Sequence, residues 1–144
     1  MTITQHERSA IEWECNRLIH NYANLTDAHD WDAIVALYTE DGIMTRPTAP
    51  DAPIVGRKAL LDAFQSRPAR ISRHICANVV VDVENESEAS AYSVILLFTG
   101  KEDGEGLPAK DEKRPLVGYY RDRFRLTADG WRFCERRGAL AFRP

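Results

Sequence analysis

Three cysteines in 144 residues, Cys15, Cys76 and Cys134, are too few and too scattered for a disulfide framework or a paired zinc-site spacing. Free thiols in a reducing compartment are therefore expected. Long apolar runs are missing: nothing approaches the roughly 18 residues that mark a bilayer span. "MTITQHERSAIEWE" also has no apolar signal-peptide core, so a cytoplasmic location is expected. Charge of one sign is not in surplus either. A net charge of −3 gives no overall pull on nucleic acid or anionic membrane. The four histidines share no ligand spacing on one strand, so no metal is expected. With no glycine-rich phosphate loop and no G-x-S-x-G elbow, no cofactor is expected and no serine nucleophile is signalled. What is present, 44% hydrophobic and 28% charged residues, is ordinary globular composition, and the length suits one domain over residues 1–144.

Ile11, Cys15, Leu18, Ile19, Tyr22 and Leu25 recur at helical spacing and predict an amphipathic helix over residues 5–27. Asp30 suits the N-cap of a second helix, with Trp31, Ile34, Leu37 and Tyr38 as its apolar face and "TEDG" as its stop. "GIMTRPT" reads as a short strand, "APDAP" as a turn-rich loop, and "GRKALLDAFQSR" as a third helix. From residue 72 the pattern turns to strands: "SRHICANVVVDVE", "EASAYSVILLFTG", "RPLVGYYRDRFRLT" and "GWRFCERRGALAF", the last two joined by an "ADG" turn. Helices first and an antiparallel meander after them predict an α+β fold, a cone with a pocket between helix and sheet.

His74 shares a strand face with Cys76 and Asn78, opposite Ile75, Ala77, Val79 and Val81. Either the apolar face is the core and His74 meets water, or His74 lines a pocket and a second subunit covers the apolar face. "EASAYSVILLFTG" is apolar on both faces and favours the second arrangement. Asp27 has two readings as well: a solvated carboxylate in a helix-ending turn, or an inward acid if "DAHD" breaks the helix. Asp30 and Asp32 fit a cap and a first-turn charge. "YYRDRFR" and "WRFCERR" carry six arginines, which with Asp122 and Glu135 read as an ion-paired outer face rather than a nucleic-acid surface.

"IHNYANLTDAHDWDAIVALYTEDG", "IVGRKALLDAF", "RHICANVVVDV" and "DGWRFCERR" together resemble the SnoaL-like branch of the nuclear transport factor 2-like superfamily across residues 8–142. The resemblance implies a cystatin-like cone, three N-terminal helices packed on a curved, mainly antiparallel sheet. Scytalone dehydratase, bile acid 7α-dehydratase and hexachlorocyclohexane dehydrochlorinase in that branch share an Asp–His pair inside the cone, and the matching positions are Asp27 and His74. Tyr22 matches a catalytic tyrosine of the bile acid dehydratase, and Arg136 an active-site arginine of the dehydrochlorinase. Strand alternation sets Arg136 with Cys134, opposite Trp131 and Phe133.

A carboxylate on one imidazole nitrogen raises the basicity of the other. The implied activity is a cofactor-independent lyase or isomerase acting on a small apolar ring compound such as a polyketide, steroid or aromatic intermediate. The expected walls are Leu18, Ile19, Trp31, Tyr38, Met44, Phe64, Asn78, Leu96, Tyr120 and Cys134. A homodimer through the sheet's outer face is expected, with no nucleic-acid or membrane partner. Two other readings stay open: a noncatalytic assembly subunit like the β subunit of aromatic-ring dioxygenases, and a ligand-binding module. A cavity of about 300 Å³ or more beside His74 would favour an enzyme or a binder over the assembly subunit.

Overall fold

The computed structural model describes residues 2–111 and 114–143. Helix α1 runs Gln5–Asp27, its N-terminus capped by Thr4, whose side chain accepts the Glu7 amide. Its buried stripe is Ile11, Cys15, Leu18, Ile19, Tyr22, Ala23 and Thr26. Asp30 caps the short helix α2 (Trp31–Val35) by accepting the Ala33 N–H at 3.3 Å. This helix is shorter than its apolar pattern suggests. Tyr38 leaves it and opens strand β1 (Tyr38–Arg46), where it pairs with Phe133.

"APDAP" is not a loop. It lies in strand β2 (Ala49–Val55), which forms an antiparallel hairpin with β1. Pro50 and Pro53 are tolerated because β2 is an edge strand, with one row of backbone groups free of partners. Helix α3 (Arg57–Gln65) buries Leu60 and Phe64, and the long strands β3 (Ile71–Asn85), β4 (Glu88–Gly100), β5 (Leu116–Thr127) and β6 (Gly130–Leu140) complete the sheet. The strand order is β2-β1-β6-β5-β4-β3, antiparallel throughout except for the parallel β1–β6 pair. The fold is α+β and cystatin-like, three helices on one curved, mostly antiparallel sheet.

Two bulges set which side chains face inward. In β3, Ala77 pairs with Val94 but Val80 with Tyr92, so Asn78 and Val79 together oppose Ser93. Asn78 takes the left-handed conformation at φ 52°, which asparagine tolerates better than most residues. His74 and Cys76 therefore face inward before the bulge, and Val79, Val81 and Val83 after it. The apolar series from Ile75 to Val81 is thus not one outer face. Only Ile75 and Ala77 of it point outward, joined by Val80, Tyr92 and Phe98. In β6, Arg123 pairs with Glu135 and Phe124 with Phe133, which leaves Cys134 as the extra residue. That slip puts Arg136 on the same inner face as Trp131 and Phe133, not with Cys134.

Candidate active site

Helix α1 ends in a Schellman arrangement. The Asp30 N–H donates to the Leu25 carbonyl and the His29 N–H to that of Thr26, with His29 left-handed at φ 58°. The helix stays regular through Asp27. No earlier break is needed to turn this residue inward, because it follows Ala23 by one turn at the margin of the buried stripe, facing β3. Its carboxylate takes three hydrogen bonds from that strand. His74 Nδ1 donates to Oδ1 at 2.6 Å, the His74 backbone N–H to Oδ2 at 2.8 Å, and Ser72 Oγ to Oδ1 at 2.9 Å. Both side chains are about nine-tenths buried, with 11% of His74 and 10% of Asp27 exposed. An ionised carboxylate only accepts, so Nδ1 carries the proton and Nε2 is left as the basic nitrogen.

His74 lines a cavity of about 210 Å³ between α1 and the sheet. Tyr22, Tyr120 and Arg136 share that cavity with apolar walls from Met44, Ile95, Leu97, Leu116 and Leu140. The Tyr22 and Tyr38 hydroxyls meet at 2.9 Å. Burial pushes the Tyr22 phenol up against the lowering effect of Arg136, and pushes Tyr120 up to about 12, so both are neutral O–H groups at physiological pH.

Arg136 is only 1% exposed. Its guanidinium carbon lies 3.9 Å from the Tyr120 ring centre, 4.4 Å from Tyr22 and 4.9 Å from Phe133, a cation held among aromatic rings. Its Nε is 3.1 Å from Oδ1 of Asp122. Burial lowers the arginine pKa, but Asp122 and the surrounding tyrosines outweigh it and hold the guanidinium charged.

Asp122 does not belong to the expected outer ion-paired face: it is 2% exposed and is paired with Arg136, which lines the cavity. Among the described residues neither of its oxygens has a hydrogen-bond partner of good geometry. Burial raises its pKa to about 6, with Arg136 opposing. A carboxyl group raised on folding favours the folded state most when protonated. Its contribution is full below the ordinary carboxyl value of 3.8 and lost as pH rises through about 6. Denaturant titrations should show wild-type stability falling relative to Asp122→Asn across that window, and a difference flat with pH would contradict it. The other arginines of β5 and β6 do include outer pairs: Arg123 with Glu84, Arg125 with Asp41 and Arg137 with Glu135.

The SnoaL-like domain family matches residues 7–137. The chain belongs to that family. No curated protein sequence matches it. Among solved structures it is similar to a proposed scytalone dehydratase of Novosphingobium aromaticivorans, at 20% identity and TM-score 0.80, covering 96% of this chain and 89% of that one. An NTF2-like protein with a cystatin-like fold from the same organism gives 26% identity and TM-score 0.75 over 93% and 84% of the two chains. A proposed aromatic ring hydroxylase, also from that organism, gives 21% and 0.76 over 99% and 94%. These likenesses carry the fold.

Within this SnoaL-like cone, the residues expected at the site divide. His74, Tyr22, Arg136, Met44 and Tyr120 meet at the cavity, and Asp27 joins through His74. Leu18, Ile19, Tyr38 and Phe64 belong to the core and do not line it. Trp31 stacks between His29 and Phe64 and faces an adjoining recess. Leu96 is on the outer face, because its neighbours Ile95 and Leu97 point inward. Asn78 and Cys134 are bulge residues away from the cavity.

Sequence reasoning missed Ser72 and Asp122, although each shares strand parity with a chosen residue: Ser72 with His74, and Asp122 with Tyr120. It also missed Arg46, Arg67 and Arg70 at the cavity. The last two sit in the α3–β3 connection, where no periodicity reports direction. Cys76 lines the cavity too, and burial raises its thiol pKa, which disfavours the thiolate a nucleophile would need.

Proposed function

We propose that this SnoaL-like domain is a cofactor-independent lyase or isomerase that uses His74 to remove a proton from carbon in a small ring compound. The observation that carries the reading is the 2.6 Å Asp27–His74 contact, which leaves Nε2 as a base on a residue lining the cavity. In an elimination, Nε2 takes the proton, the C–H electron pair becomes the new C=C bond, and the hydroxide leaving group departs with a proton from Tyr22. The Tyr38 hydroxyl orients that phenol, and Arg136 stabilises negative charge developing on a substrate oxygen.

The cavity volume falls below the 300 Å³ mark, so volume alone does not separate an enzyme from an assembly subunit. It does favour a compact ring compound over a whole steroid. The test is hydrogen exchange into D2O, followed by NMR on small cyclic ketones and β-hydroxy ketones. Exchange that is present in wild type and absent in His74→Ala supports the reading. Saturable binding with no exchange in any ketone would leave a binding module instead.

The same reading includes a homodimer through the outer sheet face. Ile75 and Val80 are 51% and 57% exposed there, and Tyr92 and Phe98 extend the apolar area. Sedimentation should give a dimer at micromolar concentration that Val80→Lys weakens. A wild-type monomer would remove the proposal.

A further inference from the structure

Three arginines from two separate segments, Arg46 at the end of β1 and Arg67 and Arg70 before β3, line the same cavity as His74. Among the described residues none of the three forms an ion pair with a carboxylate. Arg67 lies 4.6 Å over the Phe64 ring and 5.8 Å over Trp31, which fixes its guanidinium without neutralising it. Arg46 spends one nitrogen on the Ala63 carbonyl at 2.9 Å, while its fully buried Nε has no partner among the described residues. Burial first, and then the neighbouring Arg46 and Arg70 charges, depress the Arg67 pKa against the effect of two tyrosines. Arginine nonetheless stays protonated at neutral pH.

Like charges gathered in a partly desolvated space without a counter-ion are costly unless something neutralises them. Arg136 does not share this role, because Asp122 already compensates it. Arg67 and Arg70 also line the adjoining recess with His29 and Trp31, so the cationic group stands where the cavity meets that outer space.

We infer that the substrate carries an anionic oxygen group, a carboxylate or phosphate, that seats against Arg46, Arg67 and Arg70 while its apolar ring reaches inward to His74. Planar guanidinium forks suit both anions and add charge-assisted hydrogen bonds. The inference rests on the proposed function for its orientation and deepens it: the expected apolar substrate gains a charged end, and the apolar walls hold its ring.

The probes are 1-naphthoate, 1-naphthyl phosphate and the neutral 1-naphthamide, titrated calorimetrically into the full chain. At least one anion should bind about tenfold or more tightly than the amide. The stronger of the two names the head group. Arg67→Gln and Arg70→Gln should each close most of that gap, and added salt should narrow it. Arg70→Gln serves as the second variant, because Arg67 also packs on two aromatic rings. Asp27→Asn, which takes the basic nitrogen of His74 away from the substrate, should keep the anion preference. A wild-type protein that shows the preference but exchanges no ketone sinks only the catalytic reading. Equal binding of amide and anions overturns the inference. So does an unchanged gap in both arginine variants, or no saturation by either anion up to roughly 10 mM.

Discussion

Arg136→Met is expected to destabilise the fold by about 3–5 kcal/mol, because it strands the Asp122 carboxyl in a site that water does not reach. The methionine fills much of the arginine's volume, so lost packing is the smaller part. Asp122 already titrates upward with its cation present, at about 6. Without that cation its neutral form is favoured further, and the cost of the substitution should grow as pH rises. Asp122→Leu alone should also destabilise, by leaving the guanidinium unpaired among Tyr22, Tyr120 and Phe133. The double variant Arg136→Met/Asp122→Leu should recover most of the loss, since an apolar pair of similar shape replaces a buried ion pair at little net cost. Urea denaturation of the four proteins measures this. Single variants within about 0.5 kcal/mol of wild type would show that the two groups are not coupled.

Helix α1 was legible at both ends, from about 5 to 27, because about six turns of apolar spacing outweigh any local ambiguity. The Asp27–His74 approach was legible only through resemblance, since helix periodicity alone turns Asp27 well away from the Ile11–Leu25 stripe unless the helix breaks, and the helix stays regular through Asp27. Strand faces fared worse. A bulge adds one residue, and one residue reverses every side chain beyond it. "CANVV" and "RFCER" each hide such an insertion, at Asn78 and Cys134, so Val79 and Val81 turned inward and Arg136 reached the core by a route opposite to simple alternation. The asparagine in "CANVV" is a faint signal, as one of the residues that accept a left-handed backbone. Nothing in "RFCER" marks the second bulge. Prolines misled differently: Pro50 and Pro53 read as a loop, yet an edge strand needs only one row of amides. Leu96 was chosen from a strand apolar on both faces, where composition says nothing about direction.

Asp27→Asn should lower turnover by about 10²–10⁴-fold with little change in substrate affinity. An asparagine at this place keeps one carbonyl oxygen to accept the His74 backbone N–H, as Oδ2 does now at 2.8 Å. Its amide nitrogen then faces Nδ1 and Ser72 Oγ, where Oδ1 now accepts from both. An amide donates, so the imidazole must accept at Nδ1 and carry its proton on Nε2. The nitrogen turned to substrate would then be a donor rather than a base, and the chemistry fails through the wrong tautomer rather than through lost structure. Asp32→Asn is the matched control: Asp32 is exposed in the first turn of α2 and touches neither His74 nor the cavity, so it should leave turnover unchanged. Nitrogen-15 spectra of His74 in the three proteins report the tautomer directly, alongside kcat for a substrate found by exchange. An Asp27→Asn protein with the wild-type tautomer and turnover within about twofold of wild type would remove the carboxylate from the mechanism. A changed tautomer with unchanged turnover would leave the contact intact and take His74 out of the chemistry.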